Sequence, residues 1–476
     1  MSHSQQDDSS RRDGGFSRTS AQDDGDAVRL SNNSRLADII KSGVEEYMTA
    51  PTEEGSEDDL LQQTVNSEKA AIETDPNDAA AWFRMSVAQL GLGRCQEAIP
   101  ALQRVIDLAP QHAKAWRMLG LAFQEIGNFD DASAALIRAI GTAPDWAEVW
   151  SDWAGVLAES DRVVEALTAF DEAIKRDRAD AITWANRGIT LSNTNRNEEA
   201  LLSFTEAIRL RPDWPDMLFQ KGKVLLRIGD VEGALECLMK AIELRASDAE
   251  AWQLVGVAHN QLGDTASALE ALTKANELAY PYPDALALKA MLLAEERRLD
   301  ESLVACDEAM ARFADAPVRR IRAWILAQQK LYRELDEFVD TSIADGFHEQ
   351  GLLLVKADVL ADNCRFEEAL NACYEELKHF PNSAAAMSAC AYCLLKLGKV
   401  DQAMTQVTTA LSTDPTDARS WFVKALFEAH QGNEVDALNA LRKALKEEPG
   451  LIQTACEEDG FKILRSQTAF RKLVGR

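Results

Sequence analysis

The sequence predicts an all-α solenoid built from tandem helix-turn-helix repeats of 34 residues. Tryptophan recurs at this spacing, and Leu218 stands at the one gap in the series. The tryptophans concerned are Trp82, Trp116, Trp150, Trp184 and Trp252. A fixed period of roughly 20–50 residues is the signature of a solenoid, in which each repeat buries its apolar face against its neighbours.

Prolines keep the same period and indicate where each repeat ends. They are Pro76, Pro110, Pro144, Pro212, Pro381, Pro415 and Pro449. A proline lacks the amide hydrogen that a helix interior requires, so we expect each one to mark a repeat boundary. The distance from Pro212 to Pro381 is one residue short of five periods, which indicates that one residue is missing between them.

Each repeat contains two segments of helical periodicity joined by a polar turn. In the second repeat these segments are 114–126 and 130–141, with Gly127 and Asn128 between them. Glycine and asparagine tolerate the left-handed backbone that commonly ends a helix. The pattern therefore predicts a helical hairpin in every repeat.

Two columns of small residues predict where the paired helices cross. Counted from residue 79, the eighth column holds Ser86, Gly120, Ala154, Gly188, Gly222, Gly256 and Ala290. The twentieth holds Ala98, Ala132, Ala166, Ala200, Ala234, Ala268 and Ser302. Helices approach closely only where the side chains at the contact are small. We therefore expect Ala166→Leu to overpack the crossing and cost roughly 1–3 kcal/mol.

This arrangement resembles the tetratricopeptide repeat family over about residues 79–449. The second repeat carries the matching residues, with Phe123 in place of the family's usual tyrosine. They are Trp116, Leu119, Gly120, Phe123, Ala132, Leu136, Ala139 and Pro144. The resemblance implies a right-handed superhelix whose concave groove is lined by the first helix of each repeat.

Composition and repeat register divide the chain into six segments. We expect a disordered acidic tail and linker at 1–59, because residues 1–34 have few large apolar side chains to offset the entropy of ordering. The remaining segments are a partial repeat or N-terminal cap helix at 60–78, seven regular repeats at 79–315, a degenerate repeat at 316–349, three repeats at 350–449 and capping helices at 450–476.

Charge and cysteine content exclude several classes of partner and compartment. The net charge of −27 disfavours phosphate backbones and anionic lipid surfaces, so we expect neither nucleic acid binding nor membrane insertion. The N-terminus has no apolar core of the kind that a secretory signal needs. Eight cysteines without paired spacing fit a reducing interior, so we expect the cytoplasm.

A search for catalytic motifs finds none. Gly222-Lys223 and Gly398-Lys399 lack the spacing of a phosphate-binding loop, and neither a His-Glu-x-x-His nor a Gly-x-Ser-x-Gly motif is present. The Cys390–Cys393 pair lies within a helical segment, where a core role is favoured over metal or redox chemistry. We therefore expect a protein that is not an enzyme and has no cofactor and no metal.

The concave positions implied by the resemblance supply the candidate binding residues. Many are large and apolar, which is unusual for a solvated face and favours binding of a peptide or a helix. The candidates are Phe83, Arg117, Leu121, Gln124, Ile189, Phe219, Lys223, Val257, Met291, Trp324, Tyr392 and Phe422. The alternative is that these side chains pack between adjacent first helices and are largely covered.

The sequence thus predicts a scaffold or adaptor that binds an extended or helical segment of a partner protein, favouring basic flanks. A second hypothesis is autoinhibition, in which residues 36–48, whose apolar side chains have helical spacing, occupy the groove. A third, from another class, is an enzyme or enzyme subunit with an unrecognised site.

Overall fold

The computed structural model describes residues 57–278, 283–313 and 317–475. These residues form helices joined by short turns, and no β-strand occurs within them, as the predicted all-α class requires. Residues 36–48 and the rest of 1–56 lie outside the described ranges. The chain divides into two compact bodies after Gly263, inside the repeat that begins at residue 249. The sequence did not predict this division.

The N-terminal body, residues 57–263, contains twelve described helices in consecutive pairs. In chain order they are α1 (Glu57–Thr74), α2 (Ala79–Gly91), α3 (Cys95–Leu108), α4 (Ala113–Glu125), α5 (Phe129–Thr142), α6 (Ala147–Glu159), α7 (Val163–Arg176), α8 (Ala181–Asn193), α9 (Asn197–Leu210), α10 (Pro215–Ile228), α11 (Val231–Leu244) and α12 (Ala249–Gln261).

The C-terminal body, from residue 264 onward, continues the same pattern. Its described α-helices are α13 (Thr265–Leu278), α14 (Pro283–Glu295), α15 (Leu299–Arg312), α16 (Arg319–Gln328), α17 (Tyr332–Ala344), α18 (Leu352–Asp362), α19 (Phe366–His379), α20 (Ala384–Lys396), α21 (Val400–Thr413), α22 (Ala418–His430), α23 (Glu434–Glu447), α24 (Leu451–Glu457) and α25 (Thr468–Leu473). Two single 3₁₀ turns, Asp459–Phe461 and Leu464–Ser466, separate the last two.

The first described helix begins earlier than the sequence predicts. The linker was expected to run through residue 59, but α1 starts at Glu57. Asp58 and Asp59 follow in its first described turn, and carboxylates are favoured near the positive end of the helix dipole. Leu61 and Val65 then pack against α2, so the helix is fixed by tertiary contacts from its second turn.

The helices of each hairpin cross where the small residues were predicted. A Cβ atom added to Gly188 would lie 2.7 Å from Phe204 Cε1, and one added to Gly120 would lie 2.5 Å from Leu136 Cγ. Ala166 is fully buried. The small columns therefore make room for a large residue of the second helix.

The shared period of tryptophan and proline has a direct structural cause. The indole Nε1 of Trp116 donates a hydrogen bond to the carbonyl oxygen of Pro110 at 2.9 Å. Trp150 donates in the same way to Pro144, and Trp421 to Pro415. Each indole therefore ties the first helix of its repeat to the turn that precedes it.

Position 15 of each repeat adopts the left-handed backbone that ends the first helix. Glycine occupies it in the second repeat, where Gly127 has a φ of 78°. Five repeats place another residue there, among them Asn195, with a φ of 58°, and Lys330, with a φ of 60°. Asparagine tolerates this conformation better than lysine does, so Lys330 is held there by the surrounding hairpin.

Two carboxylates hold the loop at the end of the degenerate repeat; Glu376 is buried and Glu349 is half-buried. The first helix of this repeat, α16, has 10 residues, against 13 in α14. Glu349 accepts a hydrogen bond from the backbone N–H of Arg319 at 2.9 Å, and Glu376 accepts one from Gly351 at 2.6 Å. Burial raises the pKa of both carboxyl groups. These contacts connect the loop before α18 to the neighbouring helices.

Candidate binding groove

The twelve candidate groove residues differ widely in exposure. Seven are buried, namely Phe83, Arg117, Leu121, Gln124, Ile189, Phe219 and Phe422. Four are half-buried, namely Lys223, Val257, Trp324 and Tyr392. Met291 is exposed, with 37% of its surface accessible. The buried set favours packing between adjacent first helices, the alternative that the sequence left open.

In the N-terminal body, a buried ion pair joins two neighbouring first helices. Arg117 Nε on α4 lies 2.5 Å from Asp152 Oδ2 on α6, and their side chains are only 8% and 1% exposed. The Arg117 guanidinium also covers the ring of Trp146, 4.9 Å from its centroid. Because water has little access to this ion pair, its charges are stabilised by contacts within the protein. Arg117 therefore serves the packing of the array.

A second polar contact joins the same two helices two helical turns further on. Gln124 Nε2 donates to Glu159 Oε1 at 2.7 Å, again between α4 and α6. Phe83 packs in the apolar cluster of the first two repeats, and its ring lies 4.7 Å from that of His112. These groove positions of the N-terminal body are occupied by contacts between adjacent repeats.

In the C-terminal body, the groove faces of several first helices line a cavity of about 290 Å³. Its walls come from α18, α19, α20, α22 and α24, and Tyr392 and Phe422 are the two candidate groove residues among them. The remaining lining residues are Ala357, Asp358, Ala361, Asp362, Cys373, Ser388, Ala389, Cys393, Arg419, Val423, Leu451 and Thr454. The cavity therefore combines apolar walls with charged groups.

Two aspartates and one arginine set the charge of this cavity. Arg419 Nη1 on α22 lies 3.1 Å from Asp358 Oδ2 on α18, and both side chains are 48% exposed. Asp358 raises the pKa of the Arg419 guanidinium. Asp362 lies one turn beyond Asp358 and is exposed, but partial desolvation in the cavity wall and the negative charge of Asp358 raise the pKa of its carboxyl group. The lining residues thus carry one more acidic than basic side chain.

The segment after the last repeat closes one side of the cavity. Glu458 accepts a hydrogen bond from the Tyr392 hydroxyl at 3.0 Å and pairs with Lys396 Nζ at 2.5 Å. Burial alone would raise the pKa of Glu458, but the bond from Lys396 and its other donors hold it below the usual value. Burial and the nearby Glu458 carboxylate raise the pKa of Tyr392.

Aromatic contacts hold this segment on the first-helix face. Phe461 packs edge-on against Phe422 with ring centroids 5.4 Å apart. Gly460 approaches so closely that a Cβ atom on it would lie 2.7 Å from Leu426 Cδ2. Tyr392, Phe422 and Leu426 are all groove positions, so the chain's own residues 451–461 cover the groove at its last two repeats.

The other two candidates of the C-terminal body, Trp324 and Met291, do not line the cavity. Trp324 packs at the edge of an apolar cluster formed by α14, α15 and α16. Met291 is exposed on α14. The structure therefore does not bring the twelve residues together into one site.

Sequence reasoning missed the charged groups of the cavity. Asp358, Asp362 and Arg419 occupy the ninth, thirteenth and second positions of their repeats, which are groove columns by the family pattern. The twelve candidates, nine of which are apolar or aromatic, do not include them. Glu458 falls after the last repeat, so no column could identify it.

Two further observations bear on the kind of site. Among the residues that the structure describes, no group of three or more His, Cys, Asp and Glu side chains is arranged to hold a metal ion. None of the helices in the described ranges is both long enough and apolar enough to cross a bilayer.

Solved structures with similar folds cover parts of the chain. The Pseudomonas aeruginosa pilF structure is 18% identical with a TM-score of 0.41, and the match covers 45% of this chain and 97% of that one. YrrB, titled a TPR protein with an unusual peptide-binding site, is 20% identical with a TM-score of 0.34 over 39% of this chain and 96% of that one. No curated protein sequence matches the chain.

Family models assign the chain by sequence. One model described as a tetratricopeptide repeat matches residues 90–151 and 360–426. A second with the same description matches 152–216, 185–248 and 219–279. Together they account for more than half of the 476 residues. The chain therefore belongs to the tetratricopeptide repeat family.

Proposed function

We propose that this protein is a non-catalytic scaffold that holds an extended or helical segment of a partner protein at the cavity of the C-terminal body. The observation that carries the proposal is the cavity itself, where aromatic and acidic side chains from α18, α20 and α22 converge. Ligand sites in proteins are typically concave, mostly apolar and equipped with a few placed polar groups. Tetratricopeptide repeats in general serve protein interaction, which fits this role.

The charge of the cavity favours a basic side chain of the partner. Asp358 already pairs with Arg419, whereas the pKa of Asp362 is raised first by partial desolvation and then by repulsion from the like charge of Asp358. A lysine or arginine entering beside Asp362 would relieve this repulsion, while its aliphatic stem contacts Tyr392 and Phe422. The net charge of −27 adds long-range attraction for a basic segment.

We further propose a cytoplasmic location. All eight cysteines are free, three of them together in the core of the C-terminal body. Free thiols in this number fit a reducing compartment.

Charge reversal at the cavity tests the proposal. Proximity labelling in the native cell would compare the wild type with Asp362→Arg and with Glu337→Arg, an equal charge change on the exposed side of α17. We expect one set of partners to be lost with Asp362→Arg and retained with Glu337→Arg. For a partner segment so identified, the affinity should fall by about tenfold or more, the equivalent of about 1.4 kcal/mol. An unchanged partner set in Asp362→Arg, with wild-type helicity, would contradict the proposal.

A further inference from the structure

Three thiols meet in the core beside the cavity. Cys373 on α19 lies in one apolar cluster with Cys390 and Cys393 on α20, and all three are buried. As neighbouring thiols, Cys390 and Cys393 raise the pKa of Cys373. The sequence showed only the Cys390–Cys393 spacing, because Cys373 belongs to the second helix of the preceding repeat.

The cavity gives two of these thiols a route to small molecules. Cys373 and Cys393 are among its lining residues, whereas Cys390 is not. The volume of about 290 Å³ far exceeds that of hydrogen peroxide, which is little larger than a water molecule at about 30 Å³. A small oxidant in the cavity therefore meets Cys373 and Cys393 first.

The two cavity thiols differ in reactivity. The neighbouring Cys373 thiol lowers the pKa of Cys393, whereas Cys390 and Cys393 raise the pKa of Cys373. Because the thiolate is the nucleophile, Cys393 is the attacking group and Cys373 the resolving group.

We propose that Cys393 and Cys373 form a redox site that reacts with a hydroperoxide and closes to a reversible disulfide. The Cys393 thiolate attacks one peroxide oxygen; an S–O bond forms, the O–O bond breaks and hydroxide leaves. Cys393 is thereby oxidised to a sulfenic acid. Cys373 then loses its proton and attacks the Cys393 sulfur; an S–S bond forms, the S–O bond breaks, and the hydroxide that leaves takes up the proton as water. In sum, two thiols and one hydrogen peroxide give one disulfide and two waters.

Closure would link α19 to α20, the second helix of one repeat to the first helix of the next. Both helices supply walls of the cavity. Oxidation would therefore restrain the relative motion of α19 and α20 where they form the cavity wall. The site rests on the placement of Cys373 and Cys393 in the cavity wall and holds whether or not the cavity binds a partner.

Peptide mapping of the intact, folded protein tests this site. The protein is treated with hydrogen peroxide, alkylated and digested with trypsin, which places Cys373 in the peptide 366–378 and both other thiols in 379–396. We expect a disulfide-linked pair of these peptides in the wild type and in Cys390→Ala. The link should be lost in Cys393→Ala and in Cys373→Ala and be reversed by dithiothreitol.

Exposed Cys364, in the peptide 357–365, reports the supply of oxidant in the same sample. Oxidised Cys364 beside fully alkylated Cys373 and Cys393 would overturn the proposal. A link that persists in Cys393→Ala and disappears in Cys390→Ala would also overturn it, because the pair would then be the wrong one. Helical circular dichroism before oxidation establishes that each variant is folded.

Discussion

The N-terminal and C-terminal bodies use the same repeat framework but fill their first-helix faces differently. In the N-terminal body, polar groove positions pair between adjacent first helices, as Arg117 does with Asp152. In the C-terminal body, Arg419 pairs with Asp358 two repeats away, and residues 451–461 close over the last groove positions. Ion pairs between adjacent first helices bury the first-helix face, whereas the pair between first helices two repeats apart lies beside a cavity. The column of a residue therefore predicts that it lies on the first-helix face, but it does not predict whether that face is exposed.

The largest expected effect separates the two ion pairs. Arg117→Ala removes the guanidinium that pairs with the buried Asp152 carboxylate and should lower the free energy of unfolding by roughly 3–5 kcal/mol. Arg419→Ala removes half of a pair whose side chains are 48% exposed and should cost less than about 1 kcal/mol. Urea denaturation of both variants measures the difference. Equal losses of unfolding free energy in the two variants would contradict the difference between the two ion pairs.

The helix crossings should be equally sensitive in both bodies, because they belong to the shared framework. Ala166 and Ala403 occupy the same column and are 0% and 1% exposed. Substitution of either by leucine should cost roughly 1–3 kcal/mol through overpacking. Thermal unfolding of Ala166→Leu and Ala403→Leu checks this. A native melting temperature in one of them would show that its crossing is looser than the structure indicates.

Acid should loosen the closing segment of the C-terminal body. The pKa of Glu458 is held below its ordinary value of 4.5, so its stabilising contribution is fully present above that pH. The contribution is lost as the pH falls through the lower pKa of the folded state. Glu458→Gln should therefore be less stable than the wild type at neutral pH, and this difference should shrink in acid. Hydrogen exchange of residues 451–461 measures it; a difference independent of pH would contradict the assignment.

The smallest effect concerns the left-handed turn position. Lys330→Gly should stabilise the C-terminal body by up to about 1 kcal/mol, because glycine adopts a positive φ without steric cost. Asn195→Gly in the N-terminal body should be nearly neutral, since asparagine tolerates this conformation. Chemical denaturation of the two variants compares them. A destabilised Lys330→Gly would indicate that the lysine side chain makes a favourable contact.

The framework could be predicted from the sequence because it repeats. Trp116, Gly120 and Ala132 lie in columns whose period and size are visible without coordinates. The exposure of the groove could not be predicted in this way, since it depends on which side chains pair between repeats. Arg117 and Arg419 are both groove arginines, yet one is buried and the other is half exposed. The contact between Glu458 and Tyr392 joins residues 66 positions apart and follows no period.

The most direct test of the central claim is site-specific photo-crosslinking in the native cell. In one variant a photoreactive amino acid would replace Thr454, an exposed residue of the cavity wall that leaves both aspartates in place, and in a second variant it would replace Val257, a half-buried groove residue of the N-terminal body. The account predicts that position 454 captures a partner protein close to a lysine or arginine of that partner, and that position 257 does not capture it. Capture of the same partner from position 257, with none from position 454, would contradict the account.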